Sequence, residues 1–171
     1  MARRPDSDAD AAAQLWKRLE DTRTGMLSVD GSSQHPQPMS HFADPDSGEI
    51  WFITSADTDL VAAVGLGAEA TFAYQSQKGD YHASVKGPIV VYESDEKLDS
   101  LWSPPVAAWF EKGREDPKVT LLQLTPREAA IWASDSNPIL VGLKMLNAAM
   151  RDDVSEPDVG IHRVINFRDV A

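Results

Sequence analysis

Between Trp51 and Val64 the sequence reads WFITSADTDLVAAV, and three hydroxyls, Thr54, Ser55 and Thr58, stand between an apolar run and a helical apolar repeat at Leu60, Val61 and Val64. Hydroxyls at a strand-to-helix turn suit an anion, because free backbone N–H groups and the positive end of the helix dipole point at the same place. The first turn of this helix, however, holds Asp57 and Asp59 and no Lys or Arg. The stretch is therefore either an anion site without its cation or an ordinary capped helix start, and its residues alone leave both open.

Other chemistry is sparse. The histidines, His35, His41, His82 and His162, show no HxxxH or HxH spacing, so no metal site is assigned. There is no GxSxG elbow, no GxGxxG and no Walker sequence. Asp44 and Asp46, or Asp152 and Asp153, are carboxylate neighbours in polar loops and read as solvated turn residues. No catalytic residue is assigned. Aromatic residues carry more information: two of the five tryptophans, Trp102 and Trp109, flank the Pro104-Pro105 break in WSPPVAAWFEKG. Rings set on an irregular segment either pack, in a satellite core or a dimer contact, or wall a planar ligand.

The elements that must position these residues follow from periodicity. Ala12, Leu15, Trp16 and Leu19 recur at helical spacing and predict a helix from about Asp8 to Thr22, after a polar stretch, residues 1–10, expected to fray. Gly25–Val29 and Pro38–Ala43 read as paired strands around the DGSS turn, with DPDSG as the next turn. In Glu69–Ser76, Ala70, Phe72 and Tyr74 take one face, and QKGD closes a hairpin. The next strand places Tyr81, Ala83, Val85, Ile89 and Val91 on one face and His82, Ser84, Lys86 and Tyr92 on the other, with Gly87-Pro88 as a bulge or bend. Ser94–Trp102 is a Ser-capped helix broken by the prolines, and Val106–Phe110 adds a helical turn. Val119–Leu124, Ala129–Trp132 and HRVINF are further strands, and Ile139–Met150 is a last helix. Six or seven strands joined mostly as hairpins predict a mainly β chain with peripheral helices, an antiparallel barrel.

Composition narrows the function. A chain of 171 residues with 42% hydrophobic content suits one domain, expected over residues 11–171 with a C-terminal helix and tail. Sixteen basic against 27 acidic residues, a formal charge of -11, repel nucleic acid and anionic membranes. No run approaches a membrane span of ~20 residues, the start has no signal-like core, and there is no Cys, so a cytoplasmic protein is expected.

In order, LWKRLEDTRTGMLSV, QPMSHF, EIWFITSADTDLVAAV, ASVKGPIVV and DSLWSPPVAAWFEKGREDPKVTLLQLTPREAAIWAS, with the closing DVGIHRVINF, resemble the pyridoxamine 5'-phosphate oxidase-like split barrels. Within that family the chain is similar to the bacterial general stress proteins. The most specific part is the order Trp, Trp-Phe, Gly, Asp-Pro, Leu-Leu, Thr-Pro, Trp after residue 100. The resemblance implies a homodimer of six-stranded antiparallel split barrels with two flavin mononucleotide (FMN) sites at the subunit interface. It sets Gln37-Pro38-Met39 on the family's Arg-Pro-Met motif and Thr58-Asp59-Leu60 on its Ser-x-Lys motif, so Gln37 and Leu60 replace the two phosphate-gripping cations. The implied cofactor site comprises Gln37, Pro38, Met39, Ile53, Thr54, Ser55, Thr58, Leu60, Trp109 and Phe110, with the ring against Met39, Ile53 and the Trp109-Phe110 region.

Each charge-assisted hydrogen bond is worth about 1.5–3 kcal/mol, so losing two removes about 3–6 kcal/mol, or roughly 10²- to 10⁴-fold in affinity. Arg23, Lys78, Lys86 or an Arg of a second subunit are candidates to compensate. Two classes of function follow: a flavin-dependent redox protein or oxidoreductase, or a non-catalytic dimeric binding protein that has lost FMN or takes another planar ligand. Oxidation of pyridoxamine phosphate itself is not expected, since no basic cluster is available to hold a phosphorylated substrate.

Overall fold

The computed structural model of the chain describes residues 7–134 and 160–169. Helix α1, Asp8–Asp21, starts where Ser7 turns extended and accepts a hydrogen bond from the Asp10 N–H, an N-cap followed by an acidic first turn. It thus begins inside the segment expected to fray. Strands β1 (Thr24–Val29), β2 (Gln37–Asp44) and β3 (Glu49–Ser55) form a meander that runs into the short helix α2, Asp59–Val64. The hairpin β4 (Ala68–Gln75) and β5 (Tyr81–Val91) follows, then α3 (Asp95–Leu101), α4 (Pro104–Ala107), a 3₁₀ turn at Gly113–Glu115, and strands β6 (Val119–Leu124), β7 (Glu128–Ser134) and β8 (Gly160–Asn166). The helix expected at Ile139–Met150 lies outside the described residues.

Six strands close an antiparallel barrel in the order β1–β2–β3–β6–β5–β4, with β4 returning to β1, and β7 and β8 extend the sheet outside it. Closure requires strands to exchange partners. Strand β5 pairs with β7 as far as Lys86↔Glu128 and with β6 from Ile89↔Leu124. Its ladder with β4 runs unbroken from Gln75↔His82 to Ala68↔Ile89, so Gly87-Pro88 is a handover point and not a bulge. Val91, placed from sequence on the same face as Tyr81 and Ile89, is exposed: it still pairs with Leu122 of β6 but lies past Ile89, the last residue of β5 paired with β4. The prolines at 104 and 105 do interrupt the helical path, but they also open α4 at its first positions, where the missing N–H costs nothing.

Among the described residues two apolar cores result. Inside the barrel, Ile50, Phe52, Phe72, Tyr74, Tyr81, Val85, Ile89 and Leu122 pack beneath Leu15 and Leu19 of α1 and Leu60 and Val64 of α2. On the outer face of β3 and β6, Trp51 and Leu121 pack under Leu98, with Ile53, Phe42 and Trp102 beside them. Strand β3 is thus covered on both faces, which accounts for its continuous apolar run at a place where a half-exposed strand would alternate. Among the described residues no helix is long and apolar enough to cross a membrane.

Polar groups tie α1 to the barrel end. Arg18 reaches the buried Asp80 at 3.3 Å and lies over the Tyr81 ring, and the Ser76 hydroxyl donates to Asp80 at 2.7 Å. Burial alone would raise the Asp80 carboxyl pKa; the Ser76 hydrogen bond and the Arg18 charge outweigh it and bring the value below the usual range. His41, 1% exposed, donates from Nε2 to the Leu19 carbonyl at 2.9 Å, while its Nδ1 is buried without a partner.

Burial lowers the His41 pKa from 6.5 to about 4, against the raising effect of the Leu19 carbonyl and with some help from Arg23. The native state therefore holds the ring neutral while the unfolded chain takes up the proton first. The resulting stabilisation is full above about pH 6.5 and falls as pH drops toward 4, by about 3 kcal/mol at most. Urea midpoints measured from pH 7 to 4 are expected to fall more steeply for the wild type than for His41→Gln, which keeps a donor for Leu19 but cannot charge. Parallel slopes would show that this ring does not titrate with folding.

Candidate functional site

The sequence-derived site residues sit where two barrel strands part. Strand β2 pairs with β1 from Leu27↔Gln37 to Thr24↔Ser40 and with β3 from His41↔Phe52 to Asp44↔Glu49. The β2–β3 ladder stops at His41↔Phe52, leaving Gln37, Pro38 and Met39 on one lip and Thr54, Ser55 and the β3–α2 turn on the other. Met39 and Thr54 are buried, and Pro38 is exposed. The Gln37 side-chain amide donates to the Met39 sulfur at 3.3 Å. Ile53 points to the outer core with Trp51 and Leu121.

The turn itself is a network of its own groups. Thr58 is the N-cap of α2: its Oγ1 accepts from the Val61 N–H and donates to the Ser55 carbonyl at 2.9 Å. Ser55 Oγ donates to Asp57 at 2.6 Å, and Lys118 Nζ donates to the other Asp57 oxygen at 2.7 Å. Lys118, first, and Ser55, second, hold the Asp57 carboxyl down to about 2, so it is ionised throughout the neutral range. Among the described residues Lys118 is the cation that pairs at this turn, a residue not suggested from sequence. Lys86 pairs across to Thr71 and Glu128 on the opposite side of the barrel. No local sequence signal marks Lys118, which stands 61 residues from Asp57 and arrives through the Ser55↔Val119 register and the Ala56 N–H to Lys118 carbonyl bond of 2.8 Å.

Leu60 and the aromatic pair fall out differently. Leu60 is fully buried in the barrel core, so the position that the resemblance aligns with a phosphate lysine faces inward here. Trp109 is 86% exposed, whereas Phe110 is half-buried against Trp102, with ring centroids 5.9 Å apart. Trp102 belongs to the outer cluster that also holds Ile53, so the structure links Phe110 to β3 and sets Trp109 apart, out in solvent. Beside this cluster an open groove of about 450 Å³ lies between the end of β5 and the start of β6, lined by Tyr92, Leu98, Arg114 and Pro117 among others. Arg114 is engaged by Asp95 at 2.9 Å and Asp99 at 2.5 Å. Among the described residues no three His, Asp or Glu side chains gather as metal ligands.

A closed six-stranded barrel with two strands outside it and a helix capping one end defines the split-barrel class. A profile of the family described as pyridoxamine 5'-phosphate oxidase like matches residues 10–156, and the chain belongs to this family. Among solved structures, a protein designated general stress protein 26 from Jannaschia sp. CCS1 is 34% identical with a TM-score of 0.77, covering 93% of this chain and 99% of that one. The general stress FMN/FAD binding protein of Xanthomonas citri is 38% identical with a TM-score of 0.66, covering 72% and 89%. The general stress protein 26 of Bacillus subtilis (strain 168) is 29% identical over 66 residues, 38% of this chain and less than half, 46%, of that relative.

Burial separates the roles of two site residues in a measurable way. Leu60→Ala is expected to lower the unfolding free energy by about 2–5 kcal/mol, and Leu60→Lys by at least as much, since it sets an ammonium in the core. Trp109→Ala is expected to stay within about 0.5 kcal/mol of the parent. Urea unfolding of the three variants checks this; a Trp109→Ala loss as large as that of Leu60→Ala would mean that the ring is covered in solution.

Proposed function

We propose that the chain is a flavin-binding general stress protein that holds the planar ring in a cleft shared by two copies, beside the parted ends of β2 and β3. The observation that carries this reading is the bringing together of Pro38, Met39, Thr54, Ser55 and Thr58 at that opening, in a chain 38% identical to a general stress protein named for FMN/FAD binding. A bound flavin supplies hydride or electron chemistry of its own; the protein contributes position, polarity and exclusion of water. The absence of Cys leaves redox work to such a group and suits a reducing cytoplasm.

The residues fit the two ends of FMN unequally. The ring end has the exposed Pro38 and the half-buried Ser55 and Thr58 hydroxyls. The phosphate end has Gln37, whose amide is engaged with Met39, an inward-facing Leu60, and an ionised Asp57. That mismatch favours, as a second reading, a dimeric binding protein that has kept the barrel and lost FMN. For the two-copy cleft there is independent support in the outer face. Strand register sets Pro38, Met26, Ala73, Ser84, Ala130 and Val164 in one uncharged row across six strands, with Met26 and Val164 exposed. In a chain of formal charge -11, two copies meet with least repulsion on such a row, and a copy docked there reaches Pro38.

Purified protein is expected to run as a dimer by light scattering and to quench the fluorescence of added riboflavin or FMN at micromolar concentration. A monomer mass throughout the micromolar range would remove the shared cleft. Failure of both flavins to bind at about 100 µM, some 5 kcal/mol of binding free energy, would leave the binding protein without flavin as the reading.

A further inference from the structure

The β3–α2 turn carries its own anion. Its two free-standing donors, the Ser55 hydroxyl and the Lys118 ammonium, both point to the Asp57 carboxylate, at 2.6 and 2.7 Å. Two further groups of the turn are committed elsewhere: Thr58 Oγ1 donates to the Ser55 carbonyl, and the Ala56 N–H donates to the Lys118 carbonyl at 2.8 Å. We infer that Asp57 occupies an anion subsite formed by Ser55 and Lys118, and thereby makes the cleft select an unphosphorylated flavin ring over its phosphate ester. This rests on the flavin reading above and specifies it.

Tethering decides the competition. An exposed ion pair is weak, and with Lys118 61% and Asp57 59% exposed a phosphate can compete for the lysine. A displaced Asp57 cannot leave, however. It stays on the same turn, one residue from Ala56 and two from Ser55, as a like charge beside the incoming phosphate, with Asp59 close in sequence. Lys118 has acidic neighbours of its own in Glu111 and Asp116, so it is not free to neutralise a further dianion. A neutral ribityl hydroxyl meets none of this repulsion, and can accept from Lys118 or donate to Asp57 with the ion pair intact.

The test uses the full chain with Asp57→Asn, Lys118→Met and the double variant, titrated with FMN and with riboflavin. Asp57→Asn keeps the shape of the side chain and removes the charge, and is expected to tighten FMN about tenfold while riboflavin stays within about twofold. The double variant is expected to lose that gain, because the lysine that the phosphate would take is gone. In a flavin-free arm, millimolar inorganic phosphate is expected to shift the ¹⁵N–¹H resonances of Ser55 and Ala56 in Asp57→Asn and to leave them in place in the wild type. An FMN-to-riboflavin affinity ratio unchanged by Asp57→Asn overturns the inference. Riboflavin failing to bind any variant removes the flavin reading and the selectivity with it; the phosphate resonances still decide, by themselves, whether Asp57 fills an anion subsite.

Discussion

A Cβ at Gly87 would lie 2.0 Å from the Thr125 carbonyl oxygen, and the whole barrel depends on its absence. At this point β5 passes from β7 to β6, and the link between those two strands crosses directly over the glycine: the Thr125 N–H donates to the Pro88 carbonyl at 3.0 Å and the Arg127 N–H to the Lys86 carbonyl at 2.8 Å. One edge of β5 therefore serves two strands in succession without an unpaired gap. That economy of backbone hydrogen bonds lets six strands close while β7 and β8 are carried outside, and it leaves no room for a side chain at the crossing.

Staggered pairing creates the candidate site. Strand β2 lies between β1 and β3, and its ladder with β3 begins only at His41, which leaves an opening between its first half and the end of β3. Backbone that leaves a ladder must find other partners, and at the β3 end they are the Thr58 cap, the bond from Thr58 to Ser55 and, from the strand alongside, the bond from Ala56 to Lys118. The groups that complete the turn structurally are the ones a phosphate would need. This is why the same segment satisfies the family's fold while offering little to the phosphate end of FMN.

The division between core and cleft follows the same logic. Met39 and Leu60 face inward because the barrel end needs apolar volume beneath α1 and α2, and burial there excludes water from the packing around Phe52 and Phe72. Polar function is displaced to the rim, where Ser55, Asp57 and Lys118 stay hydrated. His41, fully enclosed and bonded through one nitrogen only, shows the cost of placing a titratable ring on the wrong side of that division.

Much of the fold was legible in the sequence, since it rests on neighbours along the chain. The alternation of Ala70, Phe72 and Tyr74, and of Tyr81, Ala83 and Val85, marks the inward faces that the barrel uses. Ser94 caps α3 as its residue type suggests, and the unbroken run at Trp51–Ile53 announces a strand buried on both faces. Tertiary structure decided the rest. Val91 is exposed because it lies past the last residue of β5 that β4 covers, Leu60 is core because α2 lies over the barrel end, and Trp109 and Phe110, adjacent in sequence, part between solvent and the Trp102 cluster. The meeting of Asp57 with Lys118 depends on the register of β3 against β6, which the closure of the entire barrel sets. Periodicity and capping are settled within a few residues of chain, whereas an ion pair between strands exists only after every intervening strand has taken its place.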